Sequence, residues 1–336
     1  MAGRRRVVAV AFGAVGAVVL LCVARVIVGT TAVGFPEGAD GWLVMRLRAE
    51  RVWPALLVGA SLALSGVALQ GLLRNALAEP FVLGLASGAW LGAAVQAAVA
   101  SAMGVWQGPL YAGAAVGSVV ALGVVYLLGR RRGVIDPLGL LLAGIVAGTI
   151  AGSAVMLLRE LSGSVLLRDE IARWALGYLD ARAGAARLAT VGAVLAAGWA
   201  WVWWVGRWMD AASLGEEEAE AMGVPLARLR AGLLVVASLL AAGAVVLSGP
   251  VAFVGLIAPH AARLVVGSGH RGLAVVAPVL GAGLVVAADT GSAGVSLATG
   301  IGELPVGVMA AVVGGPIFLV MLRRYLTGGE LDGGER

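Results

Sequence analysis

The sequence predicts an all-α integral membrane protein of about ten transmembrane helices with both termini cytoplasmic. Three observations carry this. Hydrophobic residues make up 60% of the 336 positions and charged ones only 13%. Mean hydropathy is +0.98, which excludes ordinary soluble domains. Fifty-two glycines would weaken water-exposed helices, whereas in a bilayer they let helices approach closely.

The apolar runs give the elements in order. The first five lie near 7–28, 52–73, 81–103, 109–128 and 137–158. Five more follow near 187–206, 229–247, 249–267, 272–288 and 304–322. Arg4 to Arg6 precede the first run, as in a signal peptide, but its length and the lack of a cleavage site favour a retained helix. An even number of spans puts the clusters Arg4–Arg6, Arg130–Arg132 and Arg323–Arg324 on one side, which the positive-inside rule makes cytoplasmic. Arg46, Arg48 and Arg51 then fall outside, where topology alone disfavours them. The whole chain is one transmembrane domain, 1–336, with a flexible C-terminal tail expected at 327–336.

The net charge of +5 and pI near 10.3 come entirely from arginine, which reads as membrane topology rather than nucleic-acid binding. The single Cys22 excludes internal disulfides and cysteine-based metal sites. No GxxxxGK[ST] loop and no lysine occur, so the chain cannot supply the lysine of a nucleotide-binding loop. No clustered nucleophile, acid pair or metal set suggests an intramembrane enzyme, and there are few intramembrane charges for an ion-coupled secondary transporter.

The most informative polar island is Ser213-Leu214-Gly215-Glu216-Glu217-Glu218-Ala219-Glu-Ala-Met222-Gly223-Val-Pro225. It predicts a short cytoplasmic helix: Ser213 and Glu216 form a capping box, and the glutamates suit the positive N-terminus. Gly223 takes the left-handed position after the last turn, and Pro225 stops continuation. Leu214, Ala219 and Met222 give it an apolar face for a partner's groove, the competing reading being a solvated acidic loop helix.

This island resembles the coupling helix of the FecCD-type permeases, the membrane subunits of importers for iron-siderophore complexes, haem and cobalamin. The resemblance extends through Val58 to Gly66, Gln70 to Pro80, Leu83 to Gly88, Ser248 to Arg263, and Glu303 to Gly307 through Gly315-Pro316. It implies a type II ABC importer permease fold, carrying an iron chelate (siderophore complex or haem) or cobalamin across the cytoplasmic membrane. It also implies a second permease copy or homologue, two cytoplasmic ATPase subunits that hold ATP and Mg, and an extracytoplasmic substrate-binding protein. No cofactor, metal or catalytic residue is expected on this chain.

By the same resemblance Arg48 and Arg51 dock acidic residues of the binding protein, the alternative being that they snorkel to the headgroups. Asn75 and Leu77 match a cytoplasmic gate, otherwise a plain Asn turn. Gly148, Gly152, Ser153 and Met156 of the fifth span match a path lining, with helix packing as the competing role. His260 and His270 read as structural rather than as metal ligands. Asp289, inside or at the outer end of the ninth span, is costly unless paired or wet and reads as a helix-packing or path residue whose partner the sequence does not name. Five of the ten tryptophans lie between Trp199 and Trp208 and read as an interfacial belt, with stacking on a flat ligand as the sharper alternative.

Overall fold

The structure is a computed structural model that describes residues 2–36, 40–103, 111–131, 134–161, 175–180 and 183–331. Among these the chain forms α1 (Ala2–Ile27), α2 (Gly41–Leu73), α3 (Leu85–Ala102), α4 (Tyr111–Leu128), α5 (Pro137–Leu161) and α6 (Ala185–Leu214). There follow α7 (Glu216–Ala221), α8 (Leu226–Ser248), α9 (Val254–Val266), α10 (His270–Thr299) and α11 (Val306–Leu331). Helices α1, α2, α5, α6, α8 and α10 are long and apolar enough to cross a bilayer, and α3, α4, α9 and α11 carry shorter apolar stretches. The short α7 is the helix that the acidic island predicts. A 3-10 turn, Pro80–Leu83, leads into α3, and a ladder of β1 (Arg130–Arg131) with β2 (Val134–Ile135) joins α4 to α5.

The bundle is organised around α2, which packs against α10, α8, α9 and α6. Its glycines explain how closely. A Cβ on Gly59 would stand 2.1 Å from the carbonyl oxygen of Gly281 in α10, and one on Gly66 would stand 1.8 Å from that of Gly255 in α9. A second group, α3 with α4, meets at Gly92 and Gly113, where a Cβ on either would fall 2.0 or 2.4 Å from the other's carbonyl oxygen. Water-driven burial does not hold helices together in lipid, so this backbone-to-backbone van der Waals contact supplies the association.

Two expected boundaries are corrected, and the expected tail lies partly outside the described residues. Helix α2 starts at Gly41 rather than near 52, because nothing in 41–51 breaks a helix and Arg46 pairs with Glu50 one turn on, at 2.7 Å. Helix α10 continues past Asp289 through the Gly- and Ser-rich stretch to Thr299. The Oγ of Ser292 donates to Leu304 O (2.7 Å) and that of Ser296 to Gly302 O (3.1 Å), tying the following chain back onto the helix. Helix α11 runs to Leu331, into the tail expected at 327–336, and residues 332–336 lie outside those described.

Candidate functional site

At the end of the bundle that the charge rule makes cytoplasmic, α6 passes into α7 through an extended Gly215 (φ 163°, ψ 163°). The predicted capping box does not form. Ser213 is still inside α6, where its Oγ donates to Asp210 O (2.6 Å), so the hydroxyl is not free for the next helix. Glu216 instead accepts from Nη2 of the buried Arg230 in α8 at 2.5 Å. The C-terminal end is as expected: Gly223 sits at φ +76°, its N–H donates to Glu220 O (2.9 Å), and the N–H of Val224 donates to Ala219 O (2.9 Å). These two bonds form the Schellman pattern, and the burial of Ala219 and Val224 adds its hydrophobic contact.

The apolar face divides as a consequence. Ala219 is inserted into the main core, while Leu214 and Met222 are 70% and 54% exposed. Glu217, Glu218 and Glu220 are exposed and form no ion pair among the described residues. The inner surface is therefore a rigid turn of helix offering two large apolar side chains and three free carboxylates. It is fixed to the spans by Ala219 and Arg230, and the inner end of α6 is tied to α10 through Asp210, whose Oδ1 accepts from His270 N (2.9 Å) and meets its Nδ1 (2.6 Å).

The turn after α2 is held from three sides. Arg74 adopts a left-handed conformation (φ 47°), and the Oδ1 of Asn75 accepts the N–H of Leu77 (2.9 Å). From within α2, Nε2 of Gln70 donates to Ala78 O and to Gly255 O, both at 3.3 Å. Glu79 accepts the backbone N–H of Phe253, a residue held at φ +68° at the start of α9. Burial pushes the Glu79 carboxyl up to about 7, although the Phe253 amide pulls the other way. The segment then passes Gly84 (φ +70°), where a Cβ would stand 2.8 Å from Gly144 O of α5.

The four candidate path residues of α5 separate. Gly148 packs on this segment, where its Cβ would lie 3.5 Å from Gly84 Cα and Ser87 Oγ. Gly152 faces open space, and Ser153 and Met156 are exposed on the outer side of the bundle. Asn75 is exposed and Leu77 half-buried, on the segment that Gly84 connects to Gly148.

At the opposite end, Arg48 and Arg51 are both buried and engaged within the chain. Arg48 donates to the carbonyls of Gly34 (2.9 Å), Ala32 (3.1 Å) and Ile27 (3.3 Å), closing the turn after α1. Arg51 contacts Asp289 (Nη2–Oδ1, 2.8 Å) and forms an ion pair with Glu303. Asp289, 1% exposed, is bound on its other side by Arg25. Both arginines, which the resemblance assigns to docking, are thus engaged within the chain in this structure, and Arg46, paired with Glu50, is the exposed member of the trio. Sequence reasoning missed Arg25, although Arg25 and Asp289 end the first and ninth spans at the same depth, and complementary charge at one depth is a readable signal.

Residues 7–324 match the model of the FecCD transport family. The chain is 37% identical over 296 residues to the cobalamin import system permease protein BtuC of Halobacterium salinarum, covering 86% of this chain and 75% of that protein. It is 34% identical over 292 residues to the hemin transport system permease protein HmuU of Yersinia pestis, covering 84% and 83%. Among solved structures, an inward-facing metal-chelate type ABC transporter superimposes with a TM-score of 0.81 at 27% identity, over 95% of this chain and 99% of that one.

Proposed function

The chain belongs to the FecCD transport family, and from that premise we propose that, as the membrane-spanning permease of an ATP-driven importer, it carries a bulky metal chelate. Iron-siderophore complexes, haem and cobalamin form the cargo class, a reading supported by relatives named for cobalamin and hemin and by a structural neighbour named for a metal chelate. It is a transport component rather than an enzyme, and in this reading ATP and Mg belong to two separate cytoplasmic ATPase subunits. A second permease copy or homologue completes the path, and an extracytoplasmic binding protein delivers cargo.

The observation that carries the reading is α7, a helix fixed at both ends yet leaving Leu214, Met222 and three carboxylates uncovered. A rigid lever of this kind suits transmission of movement from an ATPase groove into α6 and α8. Closing of the ATPases shifts residues 213–223, and the gate at Asn75 and Leu77 and the path along Gly152, Ser153 and Met156 open in turn. Gly148 holds α5 against the gate segment. On the outer side the partly exposed Glu303 covers the buried Arg51, so a binding-protein carboxylate engages Arg51 by displacing Glu303, whereas Arg48 shapes the surface through the backbone of 27–34. A secondary transporter would need a free intramembrane charge, and Asp289 is closed between Arg25 and Arg51.

Co-reconstitution with its ATPase tests the lever. Glu217→Arg is expected to leave the fold intact and to reduce cargo uptake per ATP hydrolysed at least tenfold. Unchanged coupling in that variant contradicts the role of α7.

A further inference from the structure

We propose that the inner ends of α1, α6 and α10 form a binding site for an anionic phospholipid of the cytoplasmic leaflet. The three helices enclose a groove of about 730 Å³. Its polar end is built by Arg207 and Trp203 of α6 and Arg271 of α10, and its apolar arm by Val8, Phe12 and Val15 of α1.

The polar end is prepared for a phosphate. Arg271 is fixed in place: its guanidinium carbon lies 4.7 Å over the ring of Trp203, its Nε donates to Trp203 O (3.2 Å) and its Nη2 to Trp204 O (3.4 Å). Its Nη1 has no partner among the described residues. Arg207, one turn along α6 from Trp203, is exposed and makes no hydrogen bond or ion pair among the described residues. Two guanidinium groups, one anchored and one free, converge on the same groove, and arginine forks match phosphate oxygens. The carboxylate that these helices carry nearby, Asp210, is held by the amide and ring of His270 and also attracts Arg271, which leaves Arg207 as the member of the pair that makes no ion pair among the described residues.

The apolar arm fixes the class of ligand. Val8, Phe12 and Val15 are all exposed, and the α1 segment they mark rises about 10 Å, most of the ~15 Å depth of one leaflet. Trp203 and Trp204 set the arginines at headgroup level, and basic pockets between spans on the cytoplasmic side take anionic headgroups. A free phosphate would use the arginines and leave the arm empty; a diacyl phospholipid fills both.

The test is native mass spectrometry of the full chain in mild detergent, with phosphatidylglycerol and phosphatidylcholine supplied equally. Preferential retention of phosphatidylglycerol is expected, with about a fivefold loss of that preference in Arg207→Gln. Because Arg207 makes no hydrogen bond or ion pair among the described residues, thermal unfolding of the variant should match the parent. Val8→Trp, which fills the arm and spares both arginines, should lower retention of phosphatidylglycerol equally without altering unfolding. Equal retention of the two lipids by the parent, or an unchanged preference in both variants, overturns the proposal. Displacement of the lipid by inorganic phosphate at millimolar concentration also overturns it, because the site then reads the phosphate alone.

Discussion

Removing Asp289 would leave Arg25 as an uncompensated charge at a buried position and Arg51 with Glu303 alone, and such half-broken pairs cost about 3–5 kcal/mol. Asp289→Ala is therefore expected to lower the unfolding midpoint sharply in detergent. Glu303→Gln, at the solvent edge of the same network, should cost less than about 1 kcal/mol. Equal losses in the two variants would show that burial of the pair is not what matters. Glu79 gives a pH signature. Its folded-state value is raised to about 7 from an ordinary carboxylate value near 4.5, so the folded chain binds more protons than the unfolded one between those limits. Stability should be fully present below about pH 4.5 and fall as pH rises to about 7, and Glu79→Gln should flatten that slope. Scanning thermal unfolding against pH in both proteins checks this.

Helix α7 depends on one backbone conformation. Gly223 has open space around its Cα, so Gly223→Ala meets no clash and pays only for φ +76°, about 1 kcal/mol. That is enough to loosen the Schellman turn, and the expected outcome is an intact fold with weaker coupling of ATP hydrolysis to uptake. The α2–α10 crossing is less forgiving: Gly59→Leu should abolish stable assembly, while Gly13→Leu on the open face of α1 should be tolerated, as read by size-exclusion profiles. The sequence told these elements apart unevenly. Apolar runs were enough for the ten apolar helices, because membrane burial depends on composition and length, and the acidic island with Gly223 and Pro225 was enough for α7. The true starts and ends of α2 and α10 were hidden, since Arg46 to Arg51 and Ser292 to Thr299 look like connections until tertiary partners are known. The Ser213 cap was misread for a similar reason: a serine three residues before a glutamate caps a helix only if the preceding helix has already ended.

Across the whole molecule, α7, the turn after α2 and the buried network at the opposite end are joined by α2 and α10, which carry Arg51 and Asp289 towards one end and Gln70 and His270 at the other. The family and the short helix α7 were legible from ordered motifs. The fate of Arg48 and Arg51 was not, because it depends on tertiary contacts that no motif announces: Arg48 closes on the backbone of the turn after α1, and Arg51 on Asp289, 238 residues away. The central claim is transport driven by a separate ATPase. It is tested most directly by measuring uptake of an iron chelate, haem or cobalamin, delivered by its binding protein, into vesicles holding this chain with its ATPase, and comparing an ATPase variant unable to hydrolyse ATP. The account predicts uptake with the active ATPase and none with the inactive one; equal uptake in the two, or uptake by this chain alone, would contradict it.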